Sequence, residues 1–420
     1  MQVTMGFLFV ELNWLLGASR VGGFCARSAW MTNVVSFSAP SAMPPSERRL
    51  LLVFDGGNAP GYASVAVALT EEASRRGYEV WAATEGFRSL TVDAMSEPHF
   101  ERLIVSRKER YALLAKGIPA RSMGRRVLDA GSDFRSERYL GFFEEEKRKQ
   151  AAETLRRQGF THLVGVGGNG TFEGLRALLE DMSPRIPTGF INVSIDNDLV
   201  GDRAIGFLTG VEAGATIARG LHEDAYTHKR IYLLEMMGNR SGRHALHCGV
   251  AARAHLIVLP FFQFPKEVLS EIARGLAKAD YALVVVAEGY ERERRKREMP
   301  GVSASEFLRR QLEEVGLADS PQKRVIAEPF SRYLRGVRPA FLEVSASYLK
   351  ASLLCDAFEA GKTEIMPFVL ASNDVGVRPF HLISREDRVE RAFLPLLERL
   401  RLPEFTTWIR EHFTSEKTSL

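Results

Sequence analysis

Residues 194–198 read Ser-Ile-Asp-Asn-Asp, which sets two carboxylates, Asp196 and Asp198, one residue apart. They follow Thr188–Ile191, a short apolar run with the character of a buried strand, which ends in Asn192. On an extended segment, residues two apart point to the same face, so both acids are expected to project together. Two acids just past the carboxyl end of a buried strand suit general-base work on a hydroxyl, or the holding of a divalent cation. Acidic turns after strands also occur for purely structural reasons, and the pair alone does not decide. Its setting does more: glycine-rich turns at Gly56–Gly61 (GGNAPG) and Gly167–Thr171 (GGNGT), and a third at Met237-Gly238, have the layout of a phosphoryl-transfer site.

The elements that must position these residues alternate strand, glycine turn and helix. Leu50–Phe54 is a continuous apolar run before the first loop, and Ala63–Arg76 is helical after it. Tyr78–Ala83 reads as a strand, Glu145–Gln158 as an amphipathic helix, His162–Val166 as a buried strand, and Phe172–Glu180 as a helix. A second series runs Val211–Leu221 (helix), Ile231–Glu235 (strand), Arg243–Arg253 (helix), His255–Leu259 (strand), Lys266–Lys278 (helix) and Tyr281–Ala287 (strand). Ser303 with Glu306 has capping-box spacing and opens a helix to Val315; Phe341–Gly361 and Val389–Leu400 are further helices. Such alternation predicts an α/β fold with mostly parallel sheets in two similar Rossmann-like lobes facing one cleft. The lobes are expected at about 48–200 (phosphate donor) and 201–370 (second substrate), with a C-terminal extension at 371–420.

Composition narrows the partners. Of 420 residues, 56 are Lys or Arg and 52 Asp or Glu, a formal net charge of +4, too small an excess to argue for nucleic acid. The one dense charge run, Glu291–Glu298, mixes both signs and reads as a solvated helix face or loop. No apolar run approaches the roughly 20 residues that span a bilayer. Three scattered cysteines give no disulfide framework and point to a reducing, cytoplasmic setting. Residues 1–47 read as a leader or an over-long start, with Ser36–Ser46 a linker into the folded unit. Cys248 reads as core, and His244 with His247 lacks a carboxylate partner for metal binding.

Glycine turns from strand to helix let backbone N–H groups converge on phosphate oxygens at a helix N-terminus. Neither loop is a Walker A sequence, because no Gly-Lys-Ser/Thr follows. Two such loops in one α/β unit favour a nucleotide or polyphosphate ligand. In order and spacing the segments from about Leu50 to Pro367 resemble the phosphofructokinase family, in both its ATP- and pyrophosphate-dependent branches. GGNAPG resembles the family's GGDAPG loop, GGNGT its GGDGS/T loop, and SIDND its TIDND element. GFLTG at Gly206–Gly210 is similar to GFDTA, EMMGNRSG at Glu235–Gly242 to EVMGRxxG, and Ala287-Glu288-Gly289 to the family's AEG.

The resemblance implies a role for each matching position. Asp196 would take the proton from the 1-hydroxyl of fructose 6-phosphate, beside Ser194, while Arg138, which closes Gly131–Arg138 (GSDFRSER), neutralises the transferred phosphate. Gly56, Gly57, Gly170, Thr171 and Gly174 would line ATP or pyrophosphate, with Mg²⁺ held by Asp198 and the position of Asn169. Met237, Gly238 and Glu288 would hold the sugar ring, and Asp198 would orient the base. Arg230, from THKR, and Arg335, from RYLRG, would reach the 6-phosphate, Arg230 from a neighbouring subunit of a homodimer or homotetramer. Gly170 points to ATP, since pyrophosphate enzymes of the family carry a second aspartate there.

Departures from the pattern are equally specific. Asn58 and Asn169 stand where the family has aspartates, Asn239 replaces the arginine of MGR, Leu208 the aspartate of GFDTA, and Val193 a glycine or lysine. Arg240 or Arg243 is the expected source of the charge missing at 239. Two readings follow: a glycolytic 6-phosphofructokinase, or a regulatory ligand-binding relative that kept the fold without efficient catalysis.

Overall fold

The structure is a computed structural model describing residues 48–385, except residues 137, 330, 371 and 373, together with Leu397. The leader expected at 1–47 and the helix expected at 389–400 lie outside the described residues. In chain order the first elements are β1 (Arg49–Phe54), α1 (Tyr62–Arg75), β2 (Glu79–Ala83), β3 (Phe100–Ile104), α2 (Arg107–Ala115), β4 (Ala120–Ser122), α3 (Glu145–Arg157), β5 (His162–Gly167), α4 (Asn169–Glu180), β6 (Thr188–Asn192) and α5 (Phe207–His228). Then come β7 (Ile231–Met236), α6 (Arg243–Ala251), β8 (Leu256–Val258), α7 (Lys266–Lys278), β9 (Ala282–Ala287), α8 (Arg292–Glu298), α9 (Ala304–Glu314), β10 (Val325–Glu328), α10 (Phe341–Glu359), β11 (Ile365–Val369) and β12 (Val375–Pro379).

Two sheets organise these elements. One has eight strands in the order β12-β11-β6-β5-β1-β2-β3-β4, the other four in the order β10-β7-β9-β8. All pairings in the small sheet are parallel; the large sheet departs only at β2–β3 and β11–β12. The apolar runs are strands because both faces are covered. In β1, Leu50, Leu52 and Phe54 enter one core with α1 and α10, while Leu51 and Val53 enter another with α3 and α4. A third core surrounds the small sheet.

β1 is flanked by β2 on one side and β5 on the other. The connections therefore diverge between β1 and β5, and the glycine turns after those strands open a crevice at their carboxyl ends, where ligands of open α/β sheets bind.

Several elements depart from expectation. β3, β4, α2 and β10–β12 were not anticipated, and α5 runs well past both expected ends. α5 starts at Gly206 (φ 98°) without a cap of its own. Glu343 of α10 caps it instead, accepting from the N–H groups of Leu208 (2.9 Å) and Thr209 (3.3 Å). The chain leaves the large sheet after β6, but α10, β11 and β12 pack back onto it. The mixed-charge run forms α8, laced by pairs such as Arg294–Glu298 at 2.9 Å. Among the described residues no helix is long and apolar enough to cross a membrane.

Candidate active site

The first loop is shaped by close approaches. Gly56 has φ 93°, and Gly61, at 101°, precedes α1. A Cβ on Gly57 would sit 2.0 Å from Nη1 of Arg335, so only glycine lets that guanidinium lie across the loop. Asn58 Nδ2 donates to the Arg335 carbonyl at 3.0 Å. Tyr62 and Thr171 hydroxyls both donate to the Asp55 carbonyl at 2.9 Å, tying the ends of β1 and β5 together. α4 begins at Asn169 without a side-chain cap, so its first N–H groups face the crevice.

A cavity of about 580 Å³ fills this crevice. Gly56, Gly57, Arg138, Asn169, Gly170, Thr171, Gly174, Ser194, Asp196, Asp198 and Arg335 all line it, so the structure brings together the expected donor and catalytic positions. A second cavity, about 1150 Å³, is lined by Met237, Glu288 and Arg335, and shares Gly56, Gly57, Arg138 and Arg335 with the first. Gly238 lies behind Met237, its carbonyl accepting from Ser241 Oγ at 2.9 Å. Arg230 lines neither cavity; it precedes β7, at the end away from the site, bound to Asp224 and the Tyr232 hydroxyl, each at 3.2 Å.

The acid pair does not lie on an extended segment. Asn197 has φ 52°, and its Oδ1 accepts from the Ala204 N–H at 2.8 Å, so residues 196–198 turn rather than run straight. Both carboxylates still reach the same cavity. Asp196 Oδ1 is shielded from solvent and makes no hydrogen bond. Burial first, then the neighbouring Asp198 and Glu288, push its carboxyl up to about 7, against the opposing pull of Arg335 and Arg138. Asp198 is ion-paired with Arg385, Nε to Oδ2 at 3.2 Å.

Neither Arg240 nor Arg243, the expected sources of the charge missing at 239, lines either cavity. Arg240 is exposed and paired with Glu293 at 3.3 Å, and Arg243 is buried and donates to the Asn197 carbonyl. Asn239 instead accepts from Arg292 and donates its N–H to Glu288 at 3.1 Å. Arg335, across the loop, lines both cavities, as Arg138 does. Cys248 is buried in the core, its thiol pushed up to about 12 by burial.

A computed family model described as Phosphofructokinase matches residues 49–348. The chain belongs to the phosphofructokinase family. An ATP-dependent 6-phosphofructokinase of Streptococcus suis is 29% identical over 245 residues, 58% of this chain and 66% of that relative. ATP-dependent 6-phosphofructokinase 1 of Clostridium perfringens is 30% identical, covering 58% and 70% respectively. The chain thus spans just under two thirds of the first of these relatives. Among solved structures, the pyrophosphate-dependent phosphofructokinase of Marinobacter aquaeolei superposes with a TM-score of 0.64 at 18% identity, over 83% of this chain and 91% of that one. The phosphofructokinase of Saccharomyces cerevisiae gives 0.63 at 20% identity, over 80% and 45%. These structures share the fold: mixed α/β with mostly parallel sheets.

Relative to the family pattern, several cavity residues went unnoticed in the sequence. Phe87 and Phe142 stack 4.2 Å apart against Gly174, where a Cβ would meet Phe87 at 3.1 Å. Leu140 and Phe143 stand exposed at the rim. Their signal was an apolar cluster, Leu140–Phe143, with no helical or strand period. Of the remaining arginines, Arg332 of the second cavity opens RYLRG and Arg295 sits in the mixed-charge run, while Arg385 of the first cavity carries no motif.

Mg²⁺ commonly takes one or two carboxylates plus substrate phosphates and water. No cluster of three or more His, Cys, Asp or Glu suited to a metal occurs among the described residues. Asn169 Oδ1 and Asp196 Oδ1 are nonetheless buried acceptors without hydrogen-bond partners in the same cavity as Asp198. That oxygen set fits a magnesium ion shared with donor phosphates, with one charge fewer than an aspartate at 169 would give.

Proposed function

We propose that this chain transfers a phosphoryl group from ATP, or alternatively pyrophosphate, to the 1-hydroxyl of fructose 6-phosphate, giving fructose 1,6-bisphosphate in cytoplasmic glycolysis. The carrying observation is Asp196: an inward carboxylate raised to about 7, in a crevice of about 580 Å³ whose Arg138 and Arg335 also line a second cavity. Asp196 accepts the hydroxyl proton as the sugar oxygen attacks the terminal phosphorus, and the bond to the leaving phosphate oxygen breaks. Ser194 stands beside the transferred group, and the Asp196 N–H donates to its Oγ at 3.0 Å, fixing its direction. Arg138 and Arg335 neutralise charge on the transferred group, which is most of what phosphoryl transfer asks of a protein. Gly56, Gly57 and the α4 N–H groups of Gly170 and Thr171 hold the donor. Mg²⁺, held by Asp198 and Asn169, supplies further charge neutralisation when bound.

Met237, Gly238 and Glu288 form the sugar side of the site, served mainly by residues 201–370, while 48–200 serve the donor. Two features support ATP: a Cβ at Gly170 would meet nothing within 4 Å, leaving open space, and the Phe87–Phe142 stack offers an apolar face for a base. Arg230 acts on a 6-phosphate only from a neighbouring copy, in a homodimer or homotetramer. The regulatory reading is favoured by one observation, the Asp198–Arg385 pair beside a neutral Asn169.

A coupled assay with fructose 6-phosphate and either ATP or pyrophosphate, with and without Mg²⁺, separates the readings. Turnover with neither donor at any metal concentration leaves only the ligand-binding relative. Asn169→Asp should lower the Mg²⁺ concentration giving half-maximal rate roughly tenfold, since a contact to a charged group is worth about 1.5 kcal/mol or more. An unchanged metal requirement would show that residue 169 does not face the ion.

A further inference from the structure

We propose that Arg385 is a phosphate-binding residue of the donor site, a fixed cation that the C-terminal segment adds to the family's own set. The inference deepens the preceding reading and rests on its donor site. Arg385 lies beyond the residues matched to the family, yet it lines the same cavity as Gly168, Asn169 and Gly170.

Its position is built, not incidental. Leu199 and Arg385 form an antiparallel bridge, and the Val200 N–H donates to the Ser384 carbonyl at 2.8 Å. Phe380 packs edge-on against Phe172 of α4 at 5.2 Å, anchoring the segment to the helix that starts at Asn169. The backbone of the segment is therefore secured by its own contacts. The Arg385 side chain enters the cavity wall, where Asp198, only 5% exposed, holds Nε at 3.2 Å.

The charges around the donor space are consistent with this. Asn169 leaves the site one negative charge short of the family pattern, and Arg385 adds a positive one at the neighbouring carboxylate. Both changes shift neutralisation of donor phosphates from a bound ion toward the protein. A guanidinium is always charged, weakly hydrated and shaped to take two phosphate oxygens at once, which suits it to that work.

Calorimetric titration of the full-length protein with metal-free ATP, metal-free pyrophosphate and fructose 6-phosphate, in the presence of a chelator, tests this. Arg385→Ala should weaken both phosphate donors roughly tenfold or more, the size of one lost charge-assisted contact. Affinity for fructose 6-phosphate should stay within about twofold. Excess Mg²⁺ should shrink the loss on ATP. If Arg385→Ala fails to fold, Arg385→Lys and Arg385→Gln decide, with donor affinity in the order Arg, Lys, Gln. Donor affinity equal to the parent's in the folded variants overturns the inference and makes Arg385 an anchor only. A parent that binds both donors with this arginine dependence, yet transfers no phosphoryl group, supports the inference while removing the enzymatic reading. A parent that binds neither donor overturns both.

Discussion

If the proposed reaction holds, Asp196→Asn should lower phosphoryl transfer by about 10²–10⁴-fold, the usual contribution of a general base, and should leave fructose 6-phosphate affinity nearly unchanged. The amide keeps the shape of the carboxylate, so the loop around Asn197 and the Ser241 Oγ contact to the Asp196 carbonyl (2.8 Å) survive. What is lost is an inward acceptor that takes up a proton. Because the parent carboxyl is raised to about 7, its kcat/KM should climb as pH rises through that value and level off above it. The sign for stability is opposite. A carboxyl whose folded value lies above its unfolded value of 3.8 binds more protons when folded, so it removes stability as pH rises from about 4 to 7. Asn carries no such penalty, and the urea midpoint of Asp196→Asn should gain on the parent's across that window. Turnover within threefold of the parent would remove Asp196 from the base role.

Lys350→Met should cost about 3–5 kcal/mol of folding stability, the penalty for leaving a buried charge without its partner. Lys350 and Asp202 are both fully enclosed, 2.6 Å apart. The ammonium also donates to the Arg203 carbonyl at 2.9 Å, and Asp202 Oδ1 accepts from the Val369 N–H at 3.0 Å. Burial raises the Asp202 carboxyl and lowers the Lys350 ammonium, and each partner's charge opposes the other's shift. With the lysine gone, Asp202 protonates or draws in water, and the junction of α10, β11 and the loop after the acid pair loosens. The double change Asp202→Asn with Lys350→Met should recover part of the loss, because no lone charge remains. Denaturant unfolding measures both; a loss below about 1 kcal/mol for Lys350→Met would mean that the pair is more solvated than its enclosure implies.

Where local chemistry decides the outcome, the chain is readable from its residues alone. β1, β5 and β6 lie within a residue or two of their apolar runs, and the turns after them converge as glycine placement suggests. Ser303 caps α9 through the Glu306 N–H at 3.2 Å, as its spacing indicates. Illegible features depend on distant partners. Glu343 lengthens α5, Arg385 meets Asp198, and Lys350 meets Asp202 across separations that no periodicity encodes. β3 (FERLI) is half-exposed on an antiparallel pairing, so its pattern resembles a loop more than a core strand. The turn at Asn197 is similar: nothing in Asp-Asn-Asp distinguishes an extended run from a left-handed residue, although asparagine tolerates the latter.

The return of β11 to the edge of β6 has a consequence for the protein's synthesis. Gly189 pairs with Ile365, so β6, buried along its whole length, has on one side only Ile205 at its carboxyl end until about 170 further residues exist. At roughly 5–20 residues per second, that interval lasts on the order of 10–35 s. During it the nascent chain presents an unpaired strand edge of the kind that recruits other chains. The small parallel sheet must be made, and kept from pairing with that edge, before the large one can close. The large sheet of this protein is therefore completed only by residues made long after its central strands.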